Sequence, residues 1–226
     1  MTQLLCLETA TLNCSVALGT HSATADVREI QASHFVHAEA LHELVQALLE
    51  TTNQADIAAV AVSEGPGSYT GLRIGVAAAK GLAMALNVPL LAIPTLEHFA
   101  AGVAAKHPGY DCYVPMLDAR RMEVYAASYQ ADGTEIQAVR AVILDEPHTP
   151  LFTEGQRVLV FGDGANKAQA IFGHSNIDYL TDVLPSAAAM VDLGVLRLTA
   201  GCTVDLAQFE PYYLKDFIAG TPKKVI

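Results

Sequence analysis

The sequence contains no tryptophan and few cationic side chains. It has 13 Lys and Arg against 24 Asp and Glu in 226 residues, a formal net charge of −11. A protein that binds nucleic acid by itself needs clustered Lys and Arg against the phosphate backbone. The basic doublets are limited to Arg120-Arg121 and Lys223-Lys224. The sequence therefore disfavours a free-standing nucleic-acid binder, and a partner would have to supply the positive surface.

Cysteine is also scarce, and the four cysteines, Cys6, Cys14, Cys112 and Cys202, show no CxxC spacing. This pattern favours reduced thiols of a cytosolic protein over a metal site or a disulfide framework. The chain does not start with a basic region and an apolar signal core. No stretch reaches the roughly 18 uncharged apolar residues of a membrane-spanning helix. These absences predict a soluble cytoplasmic protein without a membrane partner.

Hydrophobic residues make up 52 % of the chain and supply ample material for a core. The first 30 residues predict a meander of three strands, the third of them from Ala23 to Ile30. Apolar side chains then recur with helical spacing over 37–50, at Leu41, Leu44, Val45, Leu48 and Leu49. The elements predicted next are a strand at 57–62, a helix at 70–87, a strand at 88–93 and a helix at 95–106 capped by Thr95.

A second block begins near residue 110 and repeats the order β-β-β-α-β-α in weaker form. Its predicted elements are strands at 112–116, 122–129, 136–144 and 157–161, and a helix near 165–172. The chain is therefore predicted to form two related α/β lobes, 1–108 and a smaller 109–226.

The segment from Ser63 to Gly75 joins the predicted strand 57–62 to the predicted helix 70–87. Glycine loops before helices can hold phosphate, because free amides and the helix dipole face the ligand. Gly65-Pro66-Gly67 is, however, neither a P-loop nor a GxGxxG pattern, and Pro66 removes an amide donor. A structural turn or a contact surface is the favoured interpretation.

Small residues recur every four positions in the helix after this loop, at Gly71, Gly75, Ala79 and Ala83. A glycine inside a helix costs roughly 1 kcal/mol relative to alanine, and such a ridge lets another helix approach closely. Helix 37–50 could cover the ridge within the monomer. Alternatively, the ridge is exposed and binds another subunit, which is the interpretation we favour.

Catalytic and metal-binding patterns are weak. His34 and His37 could share a helix face without a third ligand nearby, whereas His37 and His42 lie about 140° apart around a helix. Glu8 and the two aspartates Asp118 and Asp163 each follow a predicted strand, where either a catalytic or a capping carboxylate can lie. No GxSxG segment is present. The sequence predicts no metal site and gives nucleophilic catalysis little support.

Together these segments resemble the TsaB family, also called YeaZ, the non-catalytic partners in bacterial synthesis of threonylcarbamoyladenosine on tRNA. The specific match is Ser63-x-Gly65-Pro66-Gly67-Ser68-Tyr69-Thr70-Gly71-Leu72-Arg73-Ile74-Gly75. Weaker matches, in the family's order, are Leu7-Glu8-Thr9, Cys14-Ser15-Val16-Ala17-Leu18, His37, Lys80-Gly81-Leu82-Ala83, Pro94-Thr95-Leu96-Glu97, the segment 117–125 and Pro211-Tyr212-Tyr213-Leu214-Lys215.

The resemblance implies an actin-like ATPase (ASKHA) fold of two RNase H-like lobes, with mixed central sheets flanked by helices. It also implies a scaffold that binds the catalytic paralogue TsaD through a bundle of helices, together with the ATPase TsaE, or that dimerises when isolated. In that picture tRNA is held through the complex. The residues assigned to the helical interface are His37, Leu41, Gly71, Arg73, Gly75, Ala79 and Ala83.

Departures from TsaD imply that this chain has no catalytic residue of its own. TsaD binds its metal through an HxxxH pair, where Ile93-Pro94-Thr95-Leu96-Glu97-His98 offers one histidine. Glu8 replaces the usual Asp at the first strand end, and Thr9 replaces the following Gly. We expect no cofactor in the isolated chain, and ATP or ADP only at the contact with TsaD. A vestigial nucleotide site would comprise Glu8, Thr9, Asp118, Gly162, Asp163 and Gly164.

Two alternatives from other functional classes remain open. One is a metal-dependent, glycoprotease-like peptidase, which would need ligands among His34, His37, His42 and His98. The other is an ASKHA ATPase or kinase that uses Glu8, Asp118 and Asp163 around Mg-ATP.

Overall fold

The computed structural model describes residues 3–21, 26–145, 150–173 and 176–215. They form two five-stranded sheets, each mixed in strand direction and flanked by helices. Within this part of the chain, no helix has the length and apolar character needed to cross a membrane.

The first lobe contains the predicted meander and three helices. Its strands are β1 (Gln3–Glu8), β2 (Asn13–Gly19), β3 (Asp26–Gln31), β4 (Ile57–Gly65) and β5 (Leu90–Pro94). Its helices are α1 (His37–Leu49), α2 (Tyr69–Leu86) and α3 (Thr95–Lys106). The sheet order is β3-β2-β1-β4-β5, antiparallel within the meander and parallel along β1, β4 and β5. The meander is confirmed, although the start of its third strand, 23–25, lies outside the described residues.

The second lobe repeats this sheet order. Its elements are β6 (Cys112–Asp118), β7 (Glu123–Tyr129), β8 (Glu135–Ile143), β9 (Val158–Phe161), α4 (Ala165–Phe172), β10 (Ile177–Leu180) and α5 (Met190–Thr199). The order β8-β7-β6-β9-β10 matches that of the first sheet position by position. The described residues between β8 and β9 form turns, so this stretch holds no counterpart of α1. The sequence did not predict β10 or α5.

Helices α3 and α5 each pack on the sheet that lies on the other side of the predicted boundary between 108 and 109. Helix α3 contributes Leu96 and Phe99 to the core on the second sheet, where the Phe99 and Phe161 rings lie 4.8 Å apart edge to face. Helix α5 comes after the second sheet but packs on the first, where a Cβ on Gly194 would lie 2.7 Å from Leu4 Cδ1. The lobes therefore exchange helices and share their packing.

Helix α2 has a defined beginning and end. The side chain of Ser68 accepts the Gly71 amide at 3.2 Å, and Asn87 closes the helix in the left-handed conformation with φ 53°. Helix α3 differs from the prediction in its cap. Pro94 occupies the capping position, and the Thr95 hydroxyl lies 2.7 Å from the hydroxyl of Ser63. Thr95 thus joins α3 to β4 and does not cap the helix.

Candidate functional sites

The small-residue ridge of α2 faces the interior of its own lobe. A Cβ on Gly71 would lie 2.1 Å from the Thr9 carbonyl oxygen, and a Cβ on Gly75 would lie 2.1 Å from Thr9 Oγ1. The Thr9 hydroxyl donates to the Gly71 carbonyl at 2.9 Å, and Ala79 and Ala83 are fully buried. The ridge is covered within the monomer, and the expectation that it is exposed is wrong. A spacing of four identifies a helix face but not its direction.

The opposite face of α2 also carries a row at a spacing of four, and this row is exposed. We call it the outer α2 face, formed by Arg73, Ala77, Gly81, Met84 and Ala85. Met84 is 72 % exposed, and no atom lies within 4 Å of a Cβ placed on Gly81. Of the seven predicted interface residues, Arg73 lies here, with its Nη1 donating to the Tyr69 hydroxyl at 2.9 Å.

Helix α1 buries the two predicted interface residues that it carries, His37 and Leu41. His37 Nε2 donates to the Thr11 carbonyl at 2.8 Å. Burial lowers the pKa of His37, although this hydrogen bond and the charge of Glu8 act in the opposite direction. The ring is therefore a neutral internal contact. Among the described residues, no group of three or more His, Cys, Asp or Glu side chains is arranged to hold a metal ion.

The strand-end carboxylate of the first lobe is sealed in the core. Glu8 Oε2 lies 2.6 Å from His98 Nε2, both side chains are 0 % exposed, and Glu8 Oε1 accepts the Ala10 amide. The Glu8–His98 contact is off the linear geometry of a hydrogen bond, and His98 Nδ1 has no partner in the part of the chain described. The sequence carried no signal for this pairing, because no motif links the end of β1 to α3.

The glycine loop before α2 packs on the same strand end. The Ser68 amide donates to the Ala10 carbonyl at 2.7 Å, and the Tyr212 amide donates to the Glu64 carbonyl at 2.7 Å. A Cβ on Gly67 would lie 2.6 Å from Ala10 Cβ. The amide of Ser68 and that of Gly71, which donates to Ser68 Oγ, are thus engaged inside the protein. The loop is a structural turn.

The corresponding loop of the second lobe is more open. Asp163 Oδ1 accepts the Asp118 amide at 2.9 Å, and Lys167 Nζ lies 2.9 Å from Asp118 Oδ2. Burial raises the pKa of Asp163, against the lowering effect of that amide. Gly162, with φ +108°, lets the turn approach the Met116 carbonyl, which also accepts the Gly164 amide at 3.1 Å.

The residues of the vestigial nucleotide site predicted from the sequence fall into two sets. Asp118, Gly162, Asp163 and Gly164 lie together, whereas Glu8 and Thr9 face buried partners of the first lobe. Across the described residues, no hydrogen bond or ion pair joins the two sets. The hydroxyl of Thr9 and the carboxylate of Glu8 are already engaged, so these residues do not fit a nucleotide within this chain.

Two lobes with one repeated sheet order place the chain in the class of actin-like ATPase (ASKHA) folds built from RNase H-like lobes, as predicted. Residues 31–205 match the family model described as "TsaD: tRNA N6-adenosine threonylcarbamoyltransferase". Two solved structures from Pseudomonas aeruginosa, one of YeaZ and one of a protein with similarity to peptidase YEAZ, are each 28 % identical to this chain and superpose with TM-scores of 0.81 and 0.83 respectively. Each comparison covers 95 % of this chain and 100 % of the other.

Two curated relatives identify the family within this fold class. The chain is 34 % identical to the tRNA threonylcarbamoyladenosine biosynthesis protein TsaB of Escherichia coli K12, over 96 % of each chain. It is 28 % identical to the protein of that description from Haemophilus influenzae, over 94 % of this chain and 93 % of the relative. The chain belongs to the TsaB (YeaZ) family.

Proposed function

We propose that this chain is the scaffold subunit of a complex that makes N6-threonylcarbamoyladenosine on tRNA. It binds a TsaD-type catalytic subunit, and the pair works with a TsaE-type ATPase. The names of its relatives and the match of its residues 31–205 to the TsaD family model support this proposal. In the absence of the catalytic subunit, the same face joins two copies of this chain. We expect the complex to act in the cytoplasm.

The outer α2 face is the observation that carries the proposal. Ala77, Gly81 and Ala85 leave a row without large side chains on an exposed helix, which allows the backbone of a second helix to come close. Met84 beside the row is largely exposed, and exposed apolar side chains of this size gain free energy when a partner covers them. Arg73 supplies a charge at the edge of the row.

The burial of Glu8 at the end of β1 favours a scaffold role for this chain over independent catalysis. His98, the one histidine where TsaD has a metal-binding pair, contacts Glu8 in the core and is not presented to a ligand. Any ATP or ADP would lie at the contact with the catalytic subunit, with donors from that subunit. The net charge of −11 makes tRNA binding by this chain alone unfavourable, so the partners hold the tRNA.

A charge on the outer α2 face tests the proposal. Ala77→Glu and Gly81→Glu should each abolish co-purification with the TsaD-type subunit of the same cell, because a carboxylate would be buried without a partner. Ala105→Glu is the matched control, since Ala105 is exposed on α3. Thermal unfolding of all three variants checks that the fold is retained.

Separate measurements test the interface assignment and the scaffold role. Intact co-purification of both charged variants would overturn the interface assignment. Modification of tRNA adenosine by the partners at an undiminished rate without this chain would overturn the scaffold role. Micromolar binding of ATP to the isolated chain in calorimetry would instead favour the ASKHA ATPase alternative.

A further inference from the structure

A cavity of about 450 Å³ opens between the lobes and is unrelated to the outer α2 face. The first lobe contributes Glu64 and Glu97, the second lobe contributes Tyr129 and Glu135, and Tyr212 of the returning chain completes the wall. Cavities of this volume are typical of small-molecule sites. The polar groups of this wall are almost all acidic or phenolic.

The carboxylates in the wall exceed the cations that neutralise them. Glu97 Oε2 lies 2.5 Å from Arg197 Nη2, and the same guanidinium donates to the Ala92 carbonyl at 2.8 Å. Within the described residues, the carboxylates of Glu64 and Glu135 have neither a hydrogen bond nor an ion pair. Burial raises the pKa of Glu64, with Arg197 opposing that rise. The cavity therefore carries a surplus of negative charge.

Tyr129 is a second, independent sign of a ligand. Its side chain is 3 % exposed and lines the cavity, and its hydroxyl has no hydrogen-bond partner among the described residues. The charges of Glu135 and Glu97, added to burial, raise the pKa of this hydroxyl, which places it in the field of both carboxylates. The hydroxyl is not one of the fully enclosed, unpaired polar atoms of the described residues, so it opens into the cavity and can accept a hydrogen bond from a ligand there. A ligand with N–H donors would satisfy it.

The spread of the carboxylates selects the class of ligand. They come from β4, α3 and β8, and the described residues hold no group of three arranged around one metal ion. Separated carboxylates suit a ligand whose positive charges are also separated. Two tyrosine rings in the same wall add surfaces that attract ammonium groups.

We propose that this cavity binds a small linear diamine. One ammonium group would pair with Glu64, and the other would lie between Glu135 and the hydroxyl of Tyr129. The amine supplies the donors that Tyr129 lacks, and its chain covers the tyrosine rings. The site shares no residue with the outer α2 face, so the test of diamine binding is independent of the test of the scaffold role.

Calorimetric titration of the purified full chain with 1,4-diaminobutane tests the site, with 1,4-butanediol as the neutral isostere. We expect saturable one-to-one binding of the diamine and none of the diol. Glu64→Gln should weaken binding by about tenfold, the loss of one charge-assisted hydrogen bond. Tyr129→Phe should weaken it less, by about threefold, because a neutral contact is lost.

The matched control is Glu43→Gln, an exposed carboxylate on α1 that should leave the affinity unchanged. Absence of saturable binding in the millimolar range would overturn the proposal. So would equal weakening by Glu43→Gln and Glu64→Gln, since that result means diffuse attraction to an acidic protein. Thermal unfolding of each variant checks the fold, and Tyr129→Phe keeps the test informative should Glu64→Gln fail to fold.

Discussion

Glu8 and Asp118 end equivalent strands of the two sheets, yet their surroundings are opposite. Strand β1 lies between β2 and β4, as β6 lies between β7 and β9. Glu8 is fully buried against His98 of α3, whereas Asp118 is part-exposed and pairs with Lys167 of α4. One topology has thus produced a sealed strand end in the first lobe and an open one in the second.

The difference lies in the helices that follow the two glycine loops. Helix α2 carries Gly71 and Gly75 on the face that packs closely on Thr9. Helix α4 instead presents Lys167, whose ammonium group bridges to Asp118 and to the Glu123 carbonyl at the surface. Close backbone packing excludes ligands, and a part-exposed ion pair does not. The sealed end therefore serves stability, and the open end remains accessible.

The largest expected effect on stability comes from a substitution at the sealed strand end of the first lobe. Glu8→Ala should lower the free energy of unfolding by about 3–5 kcal/mol, because His98 is left buried without its partner. Asp118→Ala should cost less than about 1 kcal/mol, the usual range for a part-exposed pair. Urea denaturation of both variants measures the contrast. Equal losses in the two lobes would refute the comparison.

A methyl group on each side of α2 gives the next largest effect. Gly75→Ala should lower the free energy of unfolding by about 1–3 kcal/mol, because the new Cβ collides with Thr9. Gly81→Ala should raise it by up to about 1 kcal/mol, because the added methyl meets no neighbour and alanine favours the helix. Thermal melts of the two variants should therefore shift in opposite directions. A loss of stability in Gly81→Ala would contradict the outward orientation of this face.

The smallest effect is a dependence on pH that has opposite signs in the two lobes. Burial lowers the pKa of His37 in the folded protein. As the pH falls, His37 is therefore protonated at a higher pH in the unfolded chain than in the folded one. The contribution of neutral His37 to the free energy of unfolding is fully present above the unfolded pKa of about 6.5. It is lost as the pH falls from there toward the lower folded pKa. Unfolding free energies at neutral and mildly acidic pH should show that loss, and His37→Gln should reduce it.

Two controls sharpen this measurement. His42 is exposed on α1, so His42→Gln is the matched control for removal of an imidazole from this helix. In the second lobe, burial raises the pKa of Asp163, so its contribution improves as the pH falls through that raised pKa. An unchanged slope in His37→Gln would show that this histidine is not a buried neutral group.

Much of the secondary structure was predictable because it depends on local patterns. Helix α3 has the bounds predicted for it, Thr95 to Lys106, and the recurrence of strands after residue 110 is confirmed as a second sheet. Strand β10 is four residues long and helix α5 follows 3₁₀ and loop segments. Neither has a long periodic pattern, and both are stabilised by packing on distant strands, so they were missed.

The candidate sites were less predictable. Arg73 was assigned to an interface and is exposed, whereas Gly71, Gly75, Ala79 and Ala83 were assigned to it and are buried. The alternative row at Arg73, Ala77, Gly81 and Ala85 was visible in the sequence. Both rows have the same spacing, and nothing local states which of them meets the core.

The sequence by itself determined the family, the repeated α/β order and the place of the glycine loop before a long helix. These follow from motif, periodicity and turn chemistry, which act over a few residues. Only the tertiary structure decided which face of α2 is free, that Glu8 is sealed by His98, and that Glu64 and Tyr129 line one cavity. Those facts arise from contacts between segments far apart in the chain, where packing and desolvation, and not local preference, select the arrangement.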